Sequence, residues 1–398
     1  MNTSLMTSTE FYPMCLEKGD LKDFLTKIST NSRPVVVFGA SIIGKIVIDL
    51  LDILDLQPLC FCDNDVKKQC QLFHGYEVIS FVKLCADYPD APLVIAAGRY
   101  FNDIKQQLTN AGFKKIYSDL DVISCIDFKK VPFSKVEKIV WYMAKLGKLS
   151  EIRDFPAGSL HIPRLNVVVT SCCTLNCEHC SSLMPYYETQ SNFDVSMIIA
   201  SLDRIFECTN LIYHVEVLGG EPFLYKDLPL IMNHLLGSGK ILHIDVISNG
   251  TILPTDRVFL ALKHKNVSVV IDDYGRLSVK KESVVNALKR FGIDYRINKH
   301  WAWADLGGFE SRKRSEEQLT ELFTKCNFNS CTELLDGKLY RCPRSSHGTK
   351  IGVVPEYIVD FIDILDLTIK EDFFKEKLRS FLYDKNFIRI SLLQLKGN

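Results

Sequence analysis

No stretch of this sequence stays apolar long enough to cross a bilayer. Runs such as Val35 to Phe38 and Val167 to Val169 are short and bounded by turn residues, far below the roughly 20 residues a membrane helix needs. Neither sign of charge prevails: Lys plus Arg and Asp plus Glu both total 48, so no net field draws the chain to nucleic acid or to an acidic membrane surface. The N-terminus lacks a basic segment, apolar run and small-residue cleavage site, which argues against export. There is no internal repeat and no low-complexity tract. These absences point to a reducing cytoplasm, where 14 cysteines are read as metal-binding or redox groups rather than disulfides. With 398 residues the chain has room for two or three domains.

Pro34-Val-Val-Val-Phe38 reads as a buried strand, Gly39-Ala-Ser-Ile-Ile-Gly44 as a turn, and Ile43 to Leu54 as a helix. Strands at Pro58 to Cys62, Leu93 to Ala97 and Lys115 to Tyr117, with a helix at Phe101 to Ala111, continue the alternation. The pattern predicts α/β architecture, with a doubly wound, Rossmann-like domain over residues 1–125. The glycine turn departs from G-x-G-x-x-G, because Ser41 stands where a middle glycine lets the backbone approach a pyrophosphate; Asp63 is placed to meet a ribose. Two uses stay open: docking or substrate capture, and binding of a nucleotide or nucleotide sugar. In pattern the unit is similar to small nucleotide-binding domains attached to bacterial sugar-modifying enzymes.

Residues 126–160 read as a helical linker, with a helix at Val136 to Leu146. A second alternation then begins. Strands are expected at Leu165 to Thr170, Tyr213 to Leu218, Leu242 to Ser248, Val267 to Ile271 and Asp294 to Ile297, with helices such as Val195 to Cys208 and Ser283 to Phe291 between them. Such β-α units over 161–310 predict a full or partial parallel barrel with its chemistry at the C-terminal strand ends.

Directly after the first of these strands, Ser-Cys-Cys-Thr-Leu-Asn-Cys-Glu-His-Cys180 places C-x3-C-x2-C at Cys173, Cys177 and Cys180, with Cys172 out of register. Three thiolates on one loop can hold three corners of a cubane, and the missing fourth ligand leaves one iron open to a small molecule. A structural zinc site is the alternative, since cysteines and His179 also suit zinc.

This loop resembles the signature of the radical S-adenosylmethionine superfamily, and three further segments share the resemblance. Val217-Leu-Gly-Gly-Glu-Pro-Phe223 resembles the family's Gly-Gly-Glu-Pro motif, which implies cofactor contacts at Gly219, Gly220 and Glu221. Ile247-Ser-Asn-Gly-Thr251 implies that Ser248 and Asn249 face the cofactor, and Asp272-Asp273-Tyr274-Gly275 implies a ribose contact at Asp272. For the whole, the resemblance implies a partial (β/α)6 TIM-like barrel. It further implies a [4Fe–4S] cluster that chelates S-adenosylmethionine and cleaves it to a 5′-deoxyadenosyl radical, which abstracts hydrogen from a substrate. An electron donor such as flavodoxin or ferredoxin is implied too.

Within residues 311–398 lie Cys326, Cys331 and Cys342, with Asp336-Gly337 as a hairpin turn. The arrangement resembles the auxiliary-cluster regions, of twitch or SPASM type, that follow the barrel in many radical enzymes. No cysteine follows Cys342, so a second iron–sulfur cluster would need a non-cysteine or vacant fourth ligand, with His347 a candidate. Zinc and unligated cysteines remain alternatives. Before this region, Lys299-His-Trp-Ala-Trp-Ala-Asp305 offers His300, Trp301 and Asp305 as sugar or polyol contacts, or packing for the next region. The expected substrate is a sugar or nucleotide sugar undergoing dehydration, dehydrogenation, epimerisation or deoxygenation. The alternatives are modification of a ribosomal peptide, and a non-enzymatic iron–sulfur sensor or scaffold.

Overall fold

The computed structural model describes residues 35–126, 130–131, 135–136, 139–140, 159–299, 303, 305–309, 313–326 and 331–383. The chain divides into two compact units, Met1–Phe155 and Pro156–Asn398.

In the first unit, six strands are β1 Val35–Phe38, β2 Pro58–Cys62, β3 Leu72–Phe73, β4 Tyr76–Ile79, β5 Leu93–Ile95 and β6 Ile116–Ser118. Their order is β3-β4-β2-β1-β5-β6, and every neighbouring pair is parallel except β3 with β4. Helices α1 Ile42–Ile53, α2 Phe81–Asp87, α3 Phe101–Asn110 and α4 Asp119–Ile123 connect or follow them. Every residue of the central strand β1 is buried, as a parallel strand covered on both faces requires. The turn after β1 is closed by its own contacts. Ser41 caps α1 by accepting from Gly44 N–H, and a Cβ on Gly39 would lie 2.5 Å from the Ala96 carbonyl oxygen.

The second unit contains β7 His161–Thr170, β8 Leu211–Gly219, β9 Ile241–Ser248, β10 Val267–Asp273 and β11 Asp294–Lys299. These are successive parallel neighbours joined through α5 Val195–Cys208, α6 Leu228–Gly237, α7 Asp256–Leu262 and α8 Lys281–Phe291. A sixth parallel strand, β12 Glu333–Leu335, pairs with the free side of β7; β13 Lys338–Tyr340 and β14 Phe361–Asp363 follow antiparallel. The remaining helices are α9 Glu316–Lys325, α10 Pro343–Lys350 and α11 Glu371–Tyr383.

The sheet runs β11-β10-β9-β8-β7-β12-β13-β14, and among the described residues nothing joins its two edges. Among the described residues the sheet is therefore open and does not close into a barrel. The cysteine-bearing segment expected as a separate C-terminal region instead adds β12 to β14 to the same sheet. Its hairpin turns at Asp336 (φ 51°) and Gly337 (φ 77°), the pair of positive angles a two-residue turn needs.

Alternation along β7 to β10 divides the sheet into two chemistries. Leu165, Val167, Val215, Val217, Ile244, Val246, Val267 and Val269 belong to the apolar core shared with the helices. The intervening positions, Arg164, Asn166, His214, Glu216, His243, Asp245 and Ser268, form a polar layer on the other face.

Candidate active site

Because β7 to β10 are parallel, the loops after them open at one end of the sheet. The cysteine loop leaves β7 at Thr170, whose hydroxyl accepts from Cys172 N–H at 3.0 Å. Two main-chain bonds then fasten it to the segment after β8: Gly220 N–H to Thr170 O (2.9 Å) and Glu221 N–H to Cys172 O (2.8 Å). The approach is close enough to demand glycine. A Cβ on Gly219 would lie 2.3 Å from Thr170 O, and one on Gly220 would lie 2.1 Å from Cys172 O.

Cys173, Cys177 and Cys180 all line a cavity of about 310 Å³ together with Gly219, Gly220, Ser248, Asn249 and Asp272. The donor set and the glycine ledge fit a cubane held at three corners, with room beside it for a small ligand. They do not form a ready zinc site. Zn–S bonds of about 2.3 Å in a tetrahedron hold sulfurs roughly 4 Å apart, and these three ligand atoms are not gathered within 4.8 Å of one another. Burial pushes the Cys173 thiol up to about 11, although the Leu175 N–H bonded to its sulfur opposes this. Burial likewise raises Cys180, against main-chain N–H donors from Met184, Ser182 and Leu183, and raises Cys177.

Glu221 differs from the expectation that its carboxylate meets the cofactor. It is wholly buried and is not part of the cavity wall. Its two oxygens accept from the main-chain N–H groups of Phe223 (3.0 Å) and Asn249 (2.7 Å). Glu221 thus ties the ends of β8 and β9 together behind Gly219 and Gly220. Burial raises it to about 7, despite those bonds and one from Ser248.

Below the thiols the cavity reaches the polar layer, touching Arg164, Asn166, Glu216, Arg296, Asn298 and Glu333. Arg164 forms a very short ion pair with Glu216 and donates to Asn166 Oδ1 at 2.9 Å. Asp245 accepts from Arg296 (2.6 Å), pairs with His214 (2.9 Å) and His243 (3.1 Å), and takes a short bond from Ser268. Burial works against its charge, but these hydrogen bonds outweigh it and hold the Asp245 carboxyl well below the usual range. His214, Glu216 and Asp245 lie close enough to hold a metal ion, yet Arg164, Arg296 and Ser268 already neutralise or bond the two carboxylates. This layer was not anticipated from sequence. Its signal was present in Tyr213-His-Val-Glu-Val217, where polar residues interrupt an apolar strand at every second position.

At the cavity rim, Trp303 stands beside Tyr274, with ring centroids 6.5 Å apart, and beside Cys177. Asp305 is exposed, with His179 Nδ1 3.8 Å away. His300 and Trp301 lie outside the described residues. Of the later cysteines, Cys331 and Cys342 are buried and close enough to influence each other, while Cys326 is half-buried. Burial pushes Cys331 up to about 12. His347 is fully buried, with Nδ1 bonded to Tyr187 Oη at 2.7 Å and Nε2 3.5 Å from Glu333.

In the first unit, Asp63 is likewise engaged internally. It accepts from Ala40 N–H (2.9 Å) and Asp65 N–H (2.9 Å) and pairs with Lys68 (3.0 Å).

Fold and site together define an α/β protein whose chemistry gathers at the carboxyl ends of parallel strands, around three thiols and a glycine ledge. Residues 167–274 match the family model described as the radical SAM superfamily. That segment is therefore similar to a radical SAM domain, a family whose members use a [4Fe–4S] cluster and S-adenosylmethionine.

No curated protein matches the sequence. Among solved structures it is similar to BtrN in complex with AdoMet and 2-DOIA, at 13% identity over 60% of this chain and 93% of that one, TM-score 0.40. It is also similar to native anSMEcpe with bound AdoMet, at 14% identity over 58% and 87% of the chains, TM-score 0.38. A third is Streptococcus suis SuiB bound to S-adenosylmethionine, at 19% identity over 58% and 49%, TM-score 0.30. Likeness of this size says nothing of the substrate.

Proposed function

We propose that Cys173, Cys177 and Cys180 hold the [4Fe–4S] cluster, that its open iron takes S-adenosylmethionine, and that the substrate is a sugar or nucleotide sugar. Bound there, the cofactors supply reductive carbon–sulfur cleavage and a 5′-deoxyadenosyl radical that removes a hydrogen atom. The chain's residues position the reactants. Gly219 and Gly220 let the wall approach closely, while Ser248, Asn249 and Asp272 offer polar contacts along it.

The observation carrying the substrate reading is that one cavity joins the thiols to planar polar side chains, Arg164, Asn166, Glu216, Arg296 and Asn298. Such forked donors and acceptors suit neighbouring hydroxyls, and Trp303 and Tyr274 give an aromatic wall for an apolar sugar face. A ribosomal peptide is the second reading. It is favoured by β11, whose outer edge has no partner strand among the described residues and could pair with an extended segment. An auxiliary iron–sulfur cluster on Cys326, Cys331 and Cys342 completes the proposal, with an electron donor of flavodoxin or ferredoxin type and a cytoplasmic setting.

The first unit is read as Rossmann-like, supported by its parallel order β4-β2-β1-β5-β6. Ser41 and Asp63 are engaged within the turn that a dinucleotide would need, which favours docking or substrate capture.

Deuterated sugars, nucleotide sugars and peptides offered separately to the loaded enzyme test the substrate class. Deuterium appearing in 5′-deoxyadenosine from a sugar, and lost in Arg296→Ala, supports the reading; transfer from peptides alone overturns it.

A further inference from the structure

Asn249 links three of the segments that surround the thiols. Its main-chain N–H donates to Glu221 Oε2 at 2.7 Å, and its carbonyl accepts from Ser278 Oγ at 2.7 Å. Its side-chain oxygen accepts from the Thr251 main-chain N–H (3.0 Å) and the Thr251 hydroxyl (2.6 Å). A main-chain N–H can only donate, so the first of these bonds fixes which end of the amide is oxygen. The NH₂ group therefore faces the cysteine loop. There it donates to Thr174 Oγ1 at 3.1 Å and to Cys173 Sγ at 3.7 Å. Asn249 is 8% exposed, so bulk water competes little for these bonds.

We infer that Asn249 is a positioning residue that raises the reduction potential of the catalytic cluster through an N–H···S hydrogen bond to Cys173. The inference rests on the proposed placement of that cluster on Cys173, Cys177 and Cys180. Reduction adds negative charge that the ligand sulfurs share, and a donor aimed at a sulfur stabilises the reduced state more than the oxidised one. The donors to Cys180 and the Leu175 donor to Cys173 are main-chain groups that persist through side-chain substitution. Asn249 is the side chain serving Cys173, so its contribution can be deleted.

Thr174 separates tuning from scaffolding. Its hydroxyl bonds both Asn249 and Thr251, so Thr174→Ala loosens the same junction while leaving the amide against Cys173. The full-length protein, reconstituted without oxygen, is titrated against applied potential in wild-type, Asn249→Ala, Asn249→Ser and Thr174→Ala forms, with iron counted in each. The signal followed is the paramagnetic resonance of the cluster that responds to added S-adenosylmethionine, which singles out the one with an open iron.

The expected result is a reduced-to-oxidised ratio about tenfold lower at fixed potential in both Asn249 variants, about 59 mV for a one-electron couple. Thr174→Ala should stay near wild type. An unchanged midpoint in the Asn249 variants, or an equal fall in Thr174→Ala, overturns the inference. So does loss of iron from both Asn249 variants when Thr174→Ala retains it, because the role would then be assembly. A wild-type chain that takes up no iron overturns the cluster placement itself, which the iron count reveals before any titration.

Discussion

Alanine at Gly220 would place a Cβ 2.1 Å from Cys172 O and 2.9 Å from Cys173 Cβ. The first obstacle is a main-chain atom, so no side chain can swing aside. Gly220 is not at positive φ, and alanine would meet no backbone strain there; the effect comes from the contact. Relief requires a shift of roughly 1 Å, since Cβ contacts under 3.0 Å are essentially never found. Such a shift breaks or stretches the bonds from Gly220 N–H and Glu221 N–H, at about 0.5–1.5 kcal/mol each. Forced packing adds about 1–3 kcal/mol. The loss should therefore be about 2–6 kcal/mol, a large part of the roughly 5–15 kcal/mol that holds a typical protein folded. Urea unfolding of the iron-free protein, followed by iron uptake, reads both consequences. Gly237→Ala is the control, because a Cβ there meets nothing within 4 Å. If Gly220→Ala unfolds with the control and binds as much iron, the ledge does not brace the loop and the reasoning fails.

Three other outcomes follow from the same geometry. Burial raises all three loop thiols, and iron binds thiolates, so iron uptake should increase from pH 7 to pH 9; a flat profile would contradict the burial. Glu221 has a native pKa of about 7 against an ordinary 4.5, so the native state holds its proton more tightly than the unfolded chain. Its contribution is present below about pH 4.5 and is lost as pH rises to 7, on the order of 3 kcal/mol, a dependence Glu221→Gln should remove from urea midpoints. Asp245→Ala takes the shared acceptor from Arg296, His214, His243 and Ser268 and should cost about 3–5 kcal/mol; an unchanged unfolding midpoint would show the layer to be dispensable.

The parts of the site legible in the sequence are those whose chemistry is local. Cys173, Cys177 and Cys180 share one short loop, and Gly219-Gly220 stands out after an apolar run; neither needs knowledge of a distant partner. The helix Val195–Cys208 was readable because a long apolar pattern fixes its type. Strands β3 and β14 are two or three residues long, too short to show a period, whereas β12 and β13 were legible through the Asp336-Gly337 turn that joins them. That β12 joins β7 rather than extending a barrel beyond β11 depends on pairing 167 residues apart in sequence, Asn166 with Glu333. The direction of Glu221 was equally hidden, since it is set by the Asn249 N–H that reaches it from another strand end.

The central claim is that Cys173, Cys177 and Cys180 carry the cluster that cleaves S-adenosylmethionine. Wild-type and Cys177→Ala proteins should be reconstituted with iron and sulfide without oxygen, reduced, given S-adenosylmethionine, and assayed for 5′-deoxyadenosine by mass spectrometry. The account predicts product from the wild type, with about eight irons per chain if both clusters form, and none from a folded Cys177→Ala variant. Product from that variant at the wild-type rate would contradict it.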